Sequence, residues 1–364
     1  MDSMVTAPWT ESLGLKGRST PNTSSWLVNI TDDGAGGVAT VLCIAGAEFQ
    51  YRLLPAIYGI VCILSLAGNL AAAYSCFTQR ARAPPVNVFL YNLILIDLLF
   101  SLSLPLQLDY HRRQNNWIFG EALCKTTSAL FFANMYGCTL FLACVCIDRY
   151  LAVLHPVRYL QLKKPAYRVV LSLVIWAVIG AAVTALSLSG SLTNTFPDGR
   201  TACMENFSTK SWSKRLAAMT FFSSAVGFFV PFITILTCYF LIFRRIVDLA
   251  DSTGGARTLK RRSLRTILIV IGVLTLCFLP FHSIQTVHTF GRVGISPGVL
   301  RFTCGARRAG MALASLNSFL DPLVYYFNSE NVQCRPSCLS RVPTSGGSRS
   351  TQSMQLQQSS GAQK

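Results

Sequence analysis

Apolar residues gather into seven long stretches, at 53–77, 87–110, 122–147, 169–190, 216–243, 264–290 and 307–327, parted by shorter polar segments. A helix needs about 20 mostly apolar residues to cross about 30 Å of hydrocarbon. In lipid a helix satisfies its own backbone groups, which an open strand cannot do. The pattern therefore predicts an all-α membrane protein, a seven-transmembrane helix bundle followed by a short amphipathic eighth helix. Residues 1–50 are rich in Ser, Thr, Gly and Asn and are expected to form a flexible extracellular segment. The bundle is expected over 51–338, and a disordered cytoplasmic tail over 339–364. The apolar run 38–47 is too short to span.

Composition agrees with the pattern. The chain is 51% hydrophobic and 13% charged, with a mean hydropathy of +0.44; soluble domains carry about 25% charged residues. The net charge is +17. Arg80, Arg82, Arg158, Lys163, Lys164, Arg168, Arg244, Arg245, Arg257, Lys260, Arg261, Arg262 and Arg265 follow the first, third and fifth spans. The positive-inside tendency places those turns in the cytoplasm. The N-terminus is then outside and the C-terminus inside, as expected of a multi-pass plasma-membrane protein. Sequons at Asn22, Asn29 and Asn206 fall on the outer segments, where glycosylation can occur. The outer rim is basic too, with Arg52, Arg112, Arg113, Lys125, Lys214, Arg215, Arg292, Arg301, Arg307 and Arg308. A focused positive potential there predicts an anionic ligand.

Of the 13 cysteines, seven lie inside spans and read as small apolar residues. Cys124 and Cys203 are expected to bridge, pinning the loop between spans four and five across the mouth of span three. Cys43 and Cys304 form the second expected pair in the oxidising compartment. Cys334 and Cys338 follow the last span and are palmitoylation candidates. Pro105, Pro231, Pro280 and Pro322 lie within spans and should kink them. No H-E-x-x-H, G-x-S-x-G or zinc-like Cys/His spacing occurs, so neither an enzyme nor a metal centre is expected. Inverted repeats or a continuous polar line, which would suit a transporter or channel, are not evident.

Motifs in every span carry a resemblance. They are Gly68-Asn69, then Asn92-Leu93 with Asp97, Asp148-Arg149-Tyr150, Trp176, Pro231, Cys277-Phe278-Leu279-Pro280, and the run Asn317-Ser318-Phe319-Leu320-Asp321-Pro322-Leu323-Val324-Tyr325. Over about 53–338 the chain resembles a rhodopsin-type (class A) G-protein-coupled receptor. The resemblance implies heterotrimeric G proteins and an arrestin as partners, beside membrane lipid, and no nucleic acid. It makes Asp148, Arg149 and Tyr150 the G-protein switch, with Arg149 able to pair with Asp148 at rest. Lys260 stands where many relatives carry an acidic lock. Asp97 is an acid at bilayer depth, and such groups are functional by default. With Asn134, Asn317, Ser318 and Asp321 it is expected to form a polar cluster that could hold a sodium ion; no other cofactor is expected.

Within that family the chain is similar to the nucleotide and lipid branch, through Phe278, Asp321, Trp117-Ile118-Phe119-Gly120 and Asn134-Met135-Tyr136-Gly137. The run from Cys203 to Ser208, with Trp212, Arg215-Leu216 and Gly227–Pro231, most resembles the non-endothelial lysophosphatidic acid receptors. Nucleotide receptors usually place a basic residue three positions after the sixth-span His, and another high on the seventh span. Gln285 and Met311 stand at those positions here, and His282 remains. The expected ligand is therefore an anionic lipid mediator, lysophosphatidic acid first, with cysteinyl leukotrienes or extracellular nucleotides as the alternative. The expected contacts are Lys125, Arg215, Arg292, Arg307 and Arg308, with His282 and Tyr110. Arg would clamp a phosphate bidentately.

Overall fold

The computed structural model describes residues 28–32, 39–43, 48–79, 88–155, 157–159, 165–188, 190–195, 199–205, 207, 211, 215–250, 268–294 and 297–328. Its helices are α1 (Glu48–Gln79), α2 (Val88–Ser101), α3 (Leu104–Arg112), α4 (Gly120–Leu154), α5 (Pro165–Leu188), α6 (Ala217–Ser224), α7 (Val230–Ala250), α8 (Leu279–Val293), α9 (Pro297–Ser315) and α10 (Asn317–Asn328). Among the described residues six helical stretches are long and apolar enough to cross a membrane; α8 is the second half of one of them, Leu268–Val293. The chain's seventh crossing is α9 with α10. Large side chains such as Leu171, Leu173, Val174 and Val178 on α5 stay exposed, which suits lipid and not water. The expected eighth helix, Lys260, the tail, Asn22, Asn206, Cys334 and Cys338 lie outside the described residues.

Two short hairpins depart from the hydropathy pattern. Strands β1 (Val28–Asp32) and β2 (Ala39–Cys43) pair antiparallel within the segment expected to be flexible, so the apolar run 38–47 contributes a strand. Strands β3 (Thr193–Thr195) and β4 (Thr201–Cys203) pair in the loop before α6. Asn29 lies in β1. The seventh crossing begins ten residues before the expected 307, because Arg307 and Arg308 interrupt the apolar run without interrupting the helix.

Pro105 and Pro280 stand at helix starts and Pro322 lies inside α10, and neighbouring side chains meet the carbonyls that Pro105 and Pro322 release. A proline has no N–H to offer the carbonyl four residues back. Pro105 strands the Ser101 carbonyl, and the Cys62 thiol on α1 approaches that oxygen at 3.6 Å. Pro322 strands the Ser318 carbonyl, which accepts from Asn69 Nδ2 at 2.8 Å and from Ser65 Oγ at 3.1 Å. Asn69 and Pro322 are thus two halves of one bond between the first and seventh crossings. Before Pro231 the chain widens to a π-helical turn at Ala225–Phe229. Phe278 separates α8 from the helix preceding it, just before Pro280.

The main core of the bundle gathers around Phe89, Leu93, Met135, Phe141, Phe228, Leu274 and Phe278, with smaller clusters around Trp117 and around Tyr58. Asn92 joins the second crossing to the fourth, accepting from Trp176 Nε1 at 2.7 Å and donating to Ser172 Oγ at 3.2 Å. Small residues set how close helices come. A Cβ on Gly310 would lie 3.2 Å from the Phe281 Cα, so α9 touches the backbone of α8 there. Gly310→Val is expected to cost about 1–3 kcal/mol through overpacking, seen as a lower midpoint of thermal inactivation. An unchanged midpoint would contradict this packing.

Candidate functional site

The disulfide end of the bundle holds the candidate ligand site. Cys124 on α4 and Cys203 at the end of β4 are bonded, with Cα atoms 5.8 Å apart. The bond draws the loop after α5 over the mouth. Cys304 on α9 is also disulfide-bonded. Its expected partner Cys43 ends β2, a strand in contact with α9, but the Cys43 side chain lies outside the described residues. Directly after Cys203, Met204 takes a left-handed φ of 61° and turns the chain inward. Glu205 is thereby carried into the bundle, where only 5% of its surface is exposed.

Glu205 meets Arg308 face to face. Arg308 Nε donates to Oε1 at 2.9 Å and Nη2 to Oε2 at 2.5 Å. Both side chains are buried, a setting in which a charge left unpaired is expensive. Beside them Arg307 donates from Nε to Gln285 Oε1 at 2.8 Å and from Nη2 to the Met204 carbonyl at 3.1 Å. Arg292, 3% exposed, donates from Nε to His288 Nε2 at 3.3 Å, and His288 Nδ1 lies 2.9 Å from Thr303 Oγ1. Arg307 is near enough to Arg292 to repel it, and both feel the charge of Glu205. Three guanidiniums, Arg292, Arg307 and Arg308, therefore converge with the one carboxylate of Glu205.

The other expected contacts are placed elsewhere. Lys125 Nζ lies 3.4 Å from Glu121 Oε1. Glu121 in turn accepts from the Leu192 and Thr193 amides, so Lys125 serves the loop and not the guanidinium trio. Arg215 lies under Gly190, its Nη1 3.2 Å from where a Cβ there would sit. Tyr110 is buried, edge-on to Trp117 with ring centroids 5.9 Å apart. His282 sits in an aromatic layer, stacked on Phe228 at 4.4 Å, with Nδ1 3.1 Å from Ser224 Oγ. Its Nε2 is buried without a hydrogen-bond partner.

Polar side chains meet between the second, third and seventh crossings. Asn134 Nδ2 donates to Asp97 Oδ1 at 2.8 Å, and Asn317 Nδ2 to Asp321 Oδ2 at 3.0 Å. Ligand atoms of Asp97, Cys138 and Asp321 lie within 4.8 Å of one another. Two carboxylates so close cannot both stay ionised unless a proton or cation sits between them. Asn317 Oδ1 and Asp321 Oδ1 are buried without a donor. That oxygen-rich set fits a hard cation better than a soft one.

At the opposite end, Asp148 is buried. Arg168 Nη2 on α5 donates to its Oδ1 at 3.0 Å and its Oδ2 at 2.9 Å, and the Tyr167 hydroxyl donates to Oδ1. Tyr150 lies edge-on to His155, with ring centroids 5.7 Å apart. Arg149 is half-buried beside them. From the residues alone Arg168 reads only as an orientation charge, Glu205 only as one of the few acids near the basic rim, and His288 carries no sign of a role. Glu205 does carry a signal: it is an acid two positions after a bridging cysteine, in a strongly basic chain.

The Glu205–Arg308 pair has a defined pH signature. Burial raises the Glu205 pKa, but the charge and hydrogen bonds of Arg308 outweigh this and hold the carboxyl below its ordinary value. A carboxyl depressed by folding stabilises fully above its unfolded pKa, about 4.3, and loses that contribution as pH falls through the folded value. Glu205→Gln should cost about 3–5 kcal/mol at pH 7, because it strands Arg308. The melting-midpoint gap between parent and variant should close only below the ordinary carboxylate range. A gap already closed at pH 6 would contradict this pairing.

Comparison with known proteins accords with this geometry. Residues 68–325 match the model of the 7 transmembrane receptor (rhodopsin family). The human uracil nucleotide/cysteinyl leukotriene receptor is 33% identical over 331 residues, covering 88% of each chain. Human cysteinyl leukotriene receptor 2 is 35% identical over 289 residues, covering 79% of this chain and 81% of its own. A human purinoceptor is 33% identical over 292 residues, covering 80% of this chain and 77% of its own. These relatives are receptors, not enzymes, and they do not support the leaning toward lysophosphatidic acid; the alternative of nucleotides or cysteinyl leukotrienes fits them better. A bundle of this architecture, matched across the crossings that carry its motifs, makes the chain a member of the rhodopsin family of seven-transmembrane receptors, a multi-pass membrane protein working with G proteins.

Proposed function

We propose that this receptor recognises an organic anion of the nucleotide or cysteinyl leukotriene class at its disulfide end, which faces outside the cell, and passes that event to a G protein at the end bearing Arg149. The observation that carries the reading is the gathering of Arg292 and Arg308, both buried, with the half-buried Arg307, around the carboxylate of Glu205. Positive charge so concentrated favours an anionic guest, and guanidinium geometry suits phosphate and carboxylate alike. The trio also answers the objection raised by Gln285. The guanidinium absent from that position in α8 arrives from α9, where Arg307 donates to the Gln285 amide oxygen at 2.8 Å. His282 packs against Tyr136 and stacks on Phe228, which in turn meets Phe278 edge-on. A ligand acts by favouring one arrangement of the helices over another.

Cells expressing the receptor should respond to uridine diphosphate or to a cysteinyl leukotriene more potently than to lysophosphatidic acid. Against the active compound, Arg292→Ala and Arg307→Ala should each lower potency about 10- to 100-fold, the size of a lost charge-assisted bond, with surface expression retained. A response confined to lysophosphatidic acid, or undiminished potency in both variants, would overturn the assignment.

A sodium ion among Asp97, Asp321 and Asn317 belongs to the same proposal. It would neutralise the paired carboxylates and hold the second and seventh crossings together. Replacing sodium by N-methyl-D-glucamine should change agonist potency in the parent and not in Asp97→Asn or Asp321→Asn. Equal sensitivity in all three would remove the ion from the account.

A further inference from the structure

We infer that Arg168 is a positioning residue for the G-protein switch: by holding Asp148 it weakens that carboxylate's hold on Arg149 and so favours coupling. The inference rests on the receptor reading above but not on the identity of the ligand.

Asp148 belongs to the Asp148-Arg149-Tyr150 triplet near the end of α4, and it is 6% exposed. Arg168, at the start of α5 and 7% exposed, reaches across and spans both carboxylate oxygens from one nitrogen, at 3.0 and 2.9 Å. The Tyr167 hydroxyl donates to the same carboxylate. Arg168 is itself caged. Its guanidinium carbon stands 5.4 Å from the Tyr167 ring centroid and 6.0 Å from that of Tyr159, and Nη2 donates to the Tyr159 hydroxyl at 3.4 Å. Two aromatic faces and a buried carboxylate keep this cation dry and fixed, which strengthens each contact.

A carboxylate has a limited set of acceptor positions. Those engaged by Arg168 and Tyr167 are less available to Arg149, and a second positive charge on Asp148 lowers the electrostatic attraction that would restrain Arg149. The geometry therefore gives Arg168, on a different helix, a hold on the acid that adjoins Arg149 in the triplet. The share taken by α5 sets how readily Arg149 turns to a partner. Tyr159 lies between α4 and α5, so the same cage ties that connection to the switch.

A double-mutant cycle tests this through binding of purified heterotrimeric G protein, with nucleotide removed, to full-length receptor in nanodiscs without added agonist. Arg168→Gln should weaken the apparent affinity about fivefold, and Arg168→Lys, which keeps a positive charge, should restore part of it. In the Asp148→Asn background, where Arg149 has no carboxylate to escape, Arg168→Gln should change nothing further. The inference is overturned if Arg168→Gln leaves affinity unchanged, or if the loss is the same in both backgrounds, which would make Arg168 a loop anchor only. Thermal midpoints of all four proteins separate misfolding from coupling. Should Arg168→Gln fail to fold, the same cycle run with Arg168→Lys decides, with a smaller loss expected in the parent background and none in the Asp148→Asn background.

Discussion

A polar group carried into lipid must find its partner inside the protein, and this constraint orders the whole molecule. Water cannot relieve an unpaired carbonyl or charge at that depth. The stranded Ser318 carbonyl fixes Asn69, and so the first crossing, against the seventh. Asp97 takes Asn134 and lies beside Asp321, linking the second, third and seventh crossings. Asp148 draws in Arg168, and Arg308 draws in Glu205 from a loop. The apolar core fills the space between these ties without dictating which helix faces which, since side chains of the core would be nearly as content against lipid.

The same constraint separates the two ends by function. At the disulfide end three guanidiniums gather near the carboxylate of Glu205. An anionic ligand there would be drawn by the same charges that hold Glu205. At the other end a buried acid is held by Arg168 and Tyr167. Gathered positive charge suits recognition of an anion, while an acid held from a neighbouring helix suits a switch. The aromatic layer of Tyr136, Phe228, Phe278 and His282 lies between them, next to the π-helical turn and the Pro280 break, where the helices are least regular.

Much of this is readable from the residues alone. Hydropathy locates six crossings closely, because nothing but lipid explains such lengths of apolar helix. The prolines announce their breaks, and the acids at depth announce the polar core. The beginning of the seventh crossing is not legible, since Arg307 and Arg308 look like a boundary until their partners on the loop and on α8 are known. The partners of Glu205 and Arg168 are hidden for the same reason: each is reached across the fold from another element, and neither spacing nor composition encodes that approach. The leaning toward lysophosphatidic acid finds no support among the relatives, which are nucleotide and cysteinyl leukotriene receptors. It rests on short runs such as Cys203–Ser208 and Trp212, which do not by themselves separate these branches.

The central claim is that gathered positive charge selects the ligand. Its most direct test is a thermal-shift titration of purified receptor with matched pairs of compounds, uridine diphosphate against uridine and a cysteinyl leukotriene against its carboxyl esters. The account predicts that at least one charged member raises the midpoint in a saturable way and that its neutral twin does not. Equal shifts from charged and neutral twins, or no shift from either pair, would contradict it.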